Sequence, residues 1–113
     1  MRVIERAKSH FDAKEIKVIS VPEWEDDNGE PTKIYAKPLT LSETAKLYKM
    51  SKEDDLVMMA YVLIYKALDE NGDKLFTLED KKSLLNDVDR EVLVRIAQEI
   101  MDSPDVEEHK KNY

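Results

Sequence analysis

The longest apolar run of the chain, residues 56–68, contains only one charged residue, Lys66. Wound as a helix, this run has no polar face that could remain in water, and such a helix is buried in a folded domain. It is also shorter than the roughly 20 apolar residues that a helix needs to cross a bilayer. We therefore predict a central helix that the flanking segments cover.

The segment before this run predicts a short helix and a β-hairpin. Apolar residues recur at helical spacing over residues 2–12, whereas residues 15–21 and 33–37 have the β-branched or alternating pattern of strands. Asn28-Gly29 between the two strands is a strong hairpin signal, in which both turn residues would have positive φ. Pro22 and Pro31 are expected to bound the strands.

Capping patterns place the helices that follow the hairpin. Thr40 or Ser42 can cap the first of them. Ser51, with Asp54 three residues later, has the pattern of a capping box for the central helix. Farther along, a third helix is expected to open at Thr77 and a fourth at Asp89.

Together these elements predict an α+β, mainly helical fold. A short N-terminal helix and a β-hairpin, within residues 1–38, precede a small bundle of about four helices, within residues 39–104. A chain of 113 residues is long enough for a single domain with its own core. We expect that domain to span residues 1–104, followed by a frayed charged tail over residues 105–113.

Charge and composition narrow the classes of function. The chain has 18 basic and 25 acidic residues and a net charge of −7, with the cations scattered, so we expect no nucleic-acid partner. It has no cysteine and no signal-like N-terminus, and we expect a cytoplasmic protein with no membrane partner. No nucleophile–histidine arrangement or phosphate loop is recognisable, so we expect neither an enzyme nor a cofactor.

One segment resembles a calcium-binding loop. Asp69, Asn71 and Asp73 stand at alternate positions, and Asp80 follows at the twelfth. An EF-hand requires glycine at the sixth position and favours glutamate at the twelfth, whereas this chain has Lys74 and Asp80 there. We therefore interpret the segment as a turn between helices, and expect no metal site.

Adaptable or aromatic apolar residues are candidates for partner binding. Methionine packs against varied apolar surfaces, and tyrosine and tryptophan recur at interaction hot spots. Core packing is the competing interpretation for all of them, and for the apolar stripe of the last helix. The candidates are Met58, Met59, Tyr61, Tyr65, Ile96, Ile100 and Trp24.

The order of elements and two sequence stretches resemble a known family over residues 15–102. A hairpin carrying Val21-Pro22-Glu23-Trp24 leads through Ile34-Tyr35-Ala36-Lys37-Pro38-Leu39-Thr40 into helices. The central apolar helix then ends at Asp69-Glu70-Asn71-Gly72, followed by Leu75-Phe76-Thr77 and Glu79-Asp80. This arrangement is similar to that of the tail assembly chaperones of long-tailed bacteriophages and prophages.

The resemblance implies a non-enzymatic function. Such chaperones bind the tape measure protein, a very long helical protein that sets tail length, and keep it soluble while tail tube protein assembles around it. Tape measure protein is therefore the expected partner, with tail tube protein as a further one. An unpaired hairpin edge and apolar helix faces also favour a homo-oligomer.

Two other functions remain open from the sequence. An acidic DNA mimic would need carboxylates spaced like phosphates along one face, whereas lysine and acidic residues are interspersed here. A calcium-responsive helical interaction module would use the loop described above. Binding of calcium would then change the thermal stability of the protein.

Overall fold

The computed structural model describes residues 2–101, and its fold is α+β and mainly helical, as predicted. The predicted helix stop at residues 102–104 and tail at residues 105–113 lie outside the described residues. Within residues 2–101 five α-helices and one antiparallel hairpin follow in the order α1 (Val3–Asp12), β1 (Lys17–Glu25), β2 (Pro31–Ala36), α2 (Leu41–Met50), α3 (Asp55–Lys66), α4 (Lys81–Asn86) and α5 (Arg90–Met101). Among these helices, none has both the length and the apolar character that crossing a bilayer requires.

The first strand is longer than predicted, because Pro22 lies inside it. The strands pair from Lys17 opposite Ala36 up to Val21 opposite Thr32, and the register then shifts before Glu25 meets Pro31. Pro22 falls in this irregular stretch, where the missing N–H of proline costs no ladder hydrogen bond. The prediction that Pro22 ends the strand was therefore wrong, whereas Pro31 does begin β2.

The hairpin turn also differs from the predicted two-residue type. Gly29 has a φ of 78°, but Asn28 is not among the residues with positive φ. Instead Asp26 organises a longer turn, since its Oδ1 accepts hydrogen bonds from the backbone N–H groups of Asn28 (2.8 Å) and Glu30 (3.0 Å). A side chain that satisfies two turn amides makes the second positive φ unnecessary.

The outer edge of β2 is partly paired rather than free. Tyr35 exchanges two backbone hydrogen bonds with Leu68, of 2.8 and 2.9 Å, just after α3 ends. In an antiparallel ladder, a residue that bonds outward on one side does not bond its neighbour on the other. Val18, opposite Tyr35, therefore directs its backbone groups away from the hairpin, so the edge that remains open is that of β1.

Helix α3 forms the centre of the core. Its buried side chains are Met58, Ala60, Val62, Leu63 and Ile64. Helices α2, α4 and α5 all pack against α3, which gives the covering that the sequence predicts. The covering is incomplete, because Leu56 in the first turn remains 63% exposed.

The caps of α2 and α5 agree with the sequence, Thr77 opens a 3₁₀ turn (Leu78–Asp80) that leads into α4, and the cap of α3 differs. Thr40 and Glu43 form a capping box at α2, and Asp89 Oδ1 accepts from the N–H of Glu91 at 2.8 Å. The prediction of a box beginning at Ser51 was wrong, because Asp54 itself caps α3 through the N–H groups of Leu56 and Val57. The Ser51 hydroxyl instead donates to the carbonyl oxygen of Tyr48 at 2.7 Å.

The turn between α2 and α3 holds two consecutive residues in the left-handed region. Lys52 has a φ of 55° and Glu53 a φ of 64°. Left-handed backbone costs a residue with a Cβ about 1–2 kcal/mol relative to right-handed conformations. This strain is compensated by the hydrogen bond from the N–H of Glu53 to the carbonyl of Tyr48 (3.0 Å), which satisfies the end of α2.

An ion pair joins the far end of β1 to α5. Arg95 donates from Nη1 and Nη2 to the two carboxylate oxygens of Glu23, at 2.7 and 2.8 Å. The hydrogen bonds from Arg95 lower the pKa of Glu23 from 4.5 to about 2. Both side chains are 41% exposed, so water and salt reduce the net strength of this pair.

Glu53→Gly is expected to raise the free energy of unfolding by about 0.5–1 kcal/mol, because glycine removes the Cβ penalty at positive φ but loses more entropy on folding. Urea denaturation followed by circular dichroism measures the change. Glu53→Ala is the matched control, since alanine keeps the Cβ and should not stabilise the protein. Equal effects of the two variants would contradict this account of the turn.

The contribution of Glu23 to stability is expected to be complete above pH 4.5 and to fade as the pH falls to about 2, because folding depresses its pKa. Glu23→Gln should therefore lower stability at neutral pH, and its difference from the unchanged protein should shrink below pH 4.5. Urea titrations at a series of pH values measure both. Glu25→Gln is the control, because Glu25 has no arginine partner among the described residues. Its difference in stability from the unchanged protein should not shrink below pH 4.5.

Candidate functional site

The gap in the covering of α3 is an apolar groove, which we call the α3–α5 groove. Its volume is about 180 Å³, and it lies where the first half of α3, helix α4 and the first half of α5 meet. Leu84 and Leu93 are buried at its base, whereas Leu56 and Leu85 are 63% and 43% exposed at its rim. The lining residues are Leu56, Met59, Leu84, Leu85, Val88, Arg90, Leu93 and Val94.

Local sequence explains why these three segments meet with apolar edges. Asp54 and Asp89 start α3 and α5 by accepting hydrogen bonds from their first amides. Helix α4 is short, from Lys81 to Asn86, and its Leu84 points into the core while Leu85 remains at the surface. A helix this short covers only part of the apolar α3 surface, and the uncovered part becomes the groove.

The chemistry of the groove suits binding. Apart from Arg90, every lining side chain is apolar. An apolar groove between helices is the kind of surface that accepts the apolar face of another amphipathic helix. Leucine at the rim and a methionine inside it supply contact area that can adapt to different side chains.

Met59 is the predicted binding residue that lines the groove. Tyr61 and Tyr65 lie elsewhere on α3, and their rings stack with centroids 6.2 Å apart. Lys81 lies over the ring of Tyr61 and Lys74 over that of Tyr65, each 5.0 Å from the centroid. The tyrosines are half-buried and form a second surface, whose ring faces already contact cations of the same chain.

Three of the predicted binding residues are buried in the core. Met58 is 8% exposed, Ile100 is 2% exposed and Ile96 is fully buried. Their side chains cannot contact a partner unless the helices separate. For these three positions, packing accounts for the apolar pattern that the sequence displays.

Trp24 packs at the end of the hairpin, away from the groove. Its ring meets that of Phe76 edge to face, with centroids 6.4 Å apart and planes at 72°. Phe76 lies in the loop between α3 and α4. Trp24 is half-buried and packs the end of the hairpin against this loop.

The calcium-like segment forms a tight turn. Asp69 Oδ1 accepts from the N–H groups of Asn71 (2.8 Å) and Asp73 (3.0 Å), and Gly72 has a φ of 87°. Asp80 lies apart from this turn, where its carboxylate accepts from the N–H of Thr77 at 2.8 Å. Within residues 2–101, no group of three or more histidine, cysteine, aspartate or glutamate side chains is arranged to hold a metal ion.

This turn repeats the hairpin turn. Residues 26–30 and 69–73 share the order aspartate, acidic residue, asparagine, glycine, acidic residue, and in both the first aspartate binds the same two amides. Both turns border one surface depression, to which Asp26, Glu30, Asp69 and Glu70 contribute. The short repeat is visible in the sequence, and comparing the two stretches would have predicted their common geometry.

Sequence reasoning missed most of the groove. The sequence predicts a helix that opens at Thr77, but nothing in the pattern indicates that Leu85 of this helix stays exposed beside Leu56. The only available signal was the shortness of the segment between Thr77 and Asp89, which leaves little helix to cover α3.

Comparison with known proteins gives no relative: no family model, curated protein or solved structure matches the chain.

Calcium is expected to leave the melting temperature unchanged at about 1 mM, a concentration that saturates many weak extracellular sites. The reason is that the carboxylates of Asp69 and Asp80 accept hydrogen bonds from their own turns and lie in different ones. Thermal unfolding with calcium, and with magnesium at equal ionic strength as the control, tests this. A calcium-specific rise would contradict it and favour the calcium-responsive module.

Proposed function

We propose that this protein is a non-enzymatic tail assembly chaperone that holds apolar helical stretches of tape measure protein in the α3–α5 groove. The observation that carries the proposal is an open groove between three helices with one cation and otherwise apolar lining. A client helix would place its apolar stripe there, with residues at i, i+3, i+4 and i+7 as anchors. The place of action is the cytoplasm of the host cell, where tails assemble.

The groove suits a client with many different apolar segments. Met59 and the leucines around it are flexible enough to pack against several side-chain shapes. Promiscuous binding surfaces commonly use such residues because they repack at low cost. A long helical client that offers a succession of stripes needs this tolerance more than it needs a single high-affinity contact.

The charge of the chain supports the second half of the function, which is solubility. At a net charge of −7, a bound copy would add negative charge to an otherwise apolar client segment. Like charge on neighbouring copies opposes precipitation. The groove and the charge act on different properties of the client, so substitutions in the groove should affect capture without altering the solubility of the chaperone itself.

Capture should depend on the groove rim. When a tape measure fragment from the same genome is co-expressed, the unchanged protein should keep it soluble and co-elute in size-exclusion chromatography. Leu56→Asp and Leu85→Asp should each raise the Kd of the complex by about tenfold or more, which corresponds to about 1.4 kcal/mol, and so lower the co-eluting fraction. Both positions are exposed in the free protein, so these changes should leave the fold intact.

Leu41→Asp is the matched control, because Leu41 is 87% exposed and lies outside the groove. It introduces the same charge and should leave capture unchanged. A fragment that stays insoluble with the unchanged protein would overturn the proposed function. Capture that survives both groove substitutions would place client binding on another surface, such as that of Tyr61 and Tyr65.

A further inference from the structure

Helix α1 carries an apolar stripe that the described chain covers only in part, at Phe11, which is half-buried. Val3, Ile4, Ala7 and Phe11 lie on one side of the helix by their spacing. None of the residues of α1 is buried, and Val3 and Ile4 are 76% and 50% exposed. A helix of ten residues is too short to be stable in water by itself, so a surface that covers this stripe would stabilise it.

The charges of α1 differ from those of the rest of the chain. Residues 2–14 contain four basic and two acidic residues, so this segment is net positive in a chain of net charge −7. At helical spacing Lys8 borders the apolar stripe, whereas Glu5 lies on the opposite side of the helix. A matching surface would therefore be apolar in the middle with carboxylates beside it.

The α3–α5 groove has these properties. Exposed carboxylates directly neighbour its lining residues in sequence: Asp55 precedes Leu56, and Asp87 and Asp89 flank Val88. Arg90 is the one cation that lines the groove. The apolar interior and these carboxylates complement α1 in both hydrophobicity and charge.

We propose that α1 of one copy of this protein docks its apolar stripe in the α3–α5 groove of a second copy. The groove of its own chain lies at the first half of α5, from Arg90 to Val94. The residues that follow α1 lie at the other end of α5, where Lys14 and Ile100 border a common depression. At least six residues of helix, about 9 Å, separate the two places, and α1 is not buried in the groove of its own chain.

This contact is head-to-tail, because it joins two different surfaces of the same chain. Each copy has one helix α1, which we call the arm, and one α3–α5 groove. Association can therefore continue beyond a dimer into a ring or an open array. A ten-residue helix buries less than a standard interface of about 1,600 Å². The contact is therefore weak, and association depends on protein concentration.

The test uses an arm variant, Ile4→Asp, and two groove variants, Leu56→Asp and Leu85→Asp. Light scattering coupled to size-exclusion chromatography measures the mass of each from about 10 to 500 µM, a range that detects weak contacts. The unchanged protein and Leu41→Asp should rise to at least twice the monomer mass. Each arm or groove variant should remain a monomer, and circular dichroism should show it folded.

Mixing the variants gives the decisive result. Ile4→Asp keeps an intact groove and Leu85→Asp an intact arm, so an equimolar mixture should form dimers of one copy each and no larger species. A monomeric unchanged protein at every concentration would overturn the proposal, as would self-association of Leu85→Asp or a mixture that stays monomeric. No client is present, so the result is independent of tape measure binding.

Discussion

The fold depends on the need to cover a helix that is apolar on every side. Five residues of α3 between Met58 and Ile64 are buried in the core, and α2, α4 and α5 all contact this helix. Burial of this surface supplies the main driving force for folding. The partners differ in length, however, and α4 has only six residues. The apolar surface beyond the reach of α4 remains as the α3–α5 groove, so the candidate site is a direct consequence of how the core is closed.

The hairpin is stabilised by the same helical part that it adjoins. Two strands alone are marginal in water, but here Leu68 extends the edge of β2 directly after α3 ends. Arg95 binds Glu23 from α5, and Trp24 packs on Phe76 from the loop that follows α3. Leu68 covers the edge of β2, and the other two contacts join the far end of β1 to α5 and to the loop after α3. The outer edge of β1 and helix α1 remain open. Exposed apolar side chains also lie on α2 and in the segment between α3 and α4, at Leu41, Met50, Leu75 and Leu78.

The sequence predicted the elements better than their connections. The continuous apolar run located α3, the apolar stripe located α5, and Thr40 and Asp89 cap as expected, because these signals are local. Pro22 inside β1 was not predicted, since a bulge that tolerates proline depends on how the two strands are registered. The candidate site was predicted only at Met59. Ile96 and Ile100 have the same apolar pattern as a binding stripe, and only the packing of α5 on α3 distinguishes core from surface.

The two proposals place two helices in the same groove of about 180 Å³, so the two would compete for it. Helix α1 spans about 15 Å, and its stripe contains a small residue, Ala7, between Val3 and Phe11. A longer client helix with larger apolar side chains would bury more area than α1 does and would displace it by mass action. Under the second proposal, self-association would cover the groove while no client is present. Under both proposals, each client segment that enters a groove releases one arm, so the size of the assembly follows the amount of client bound.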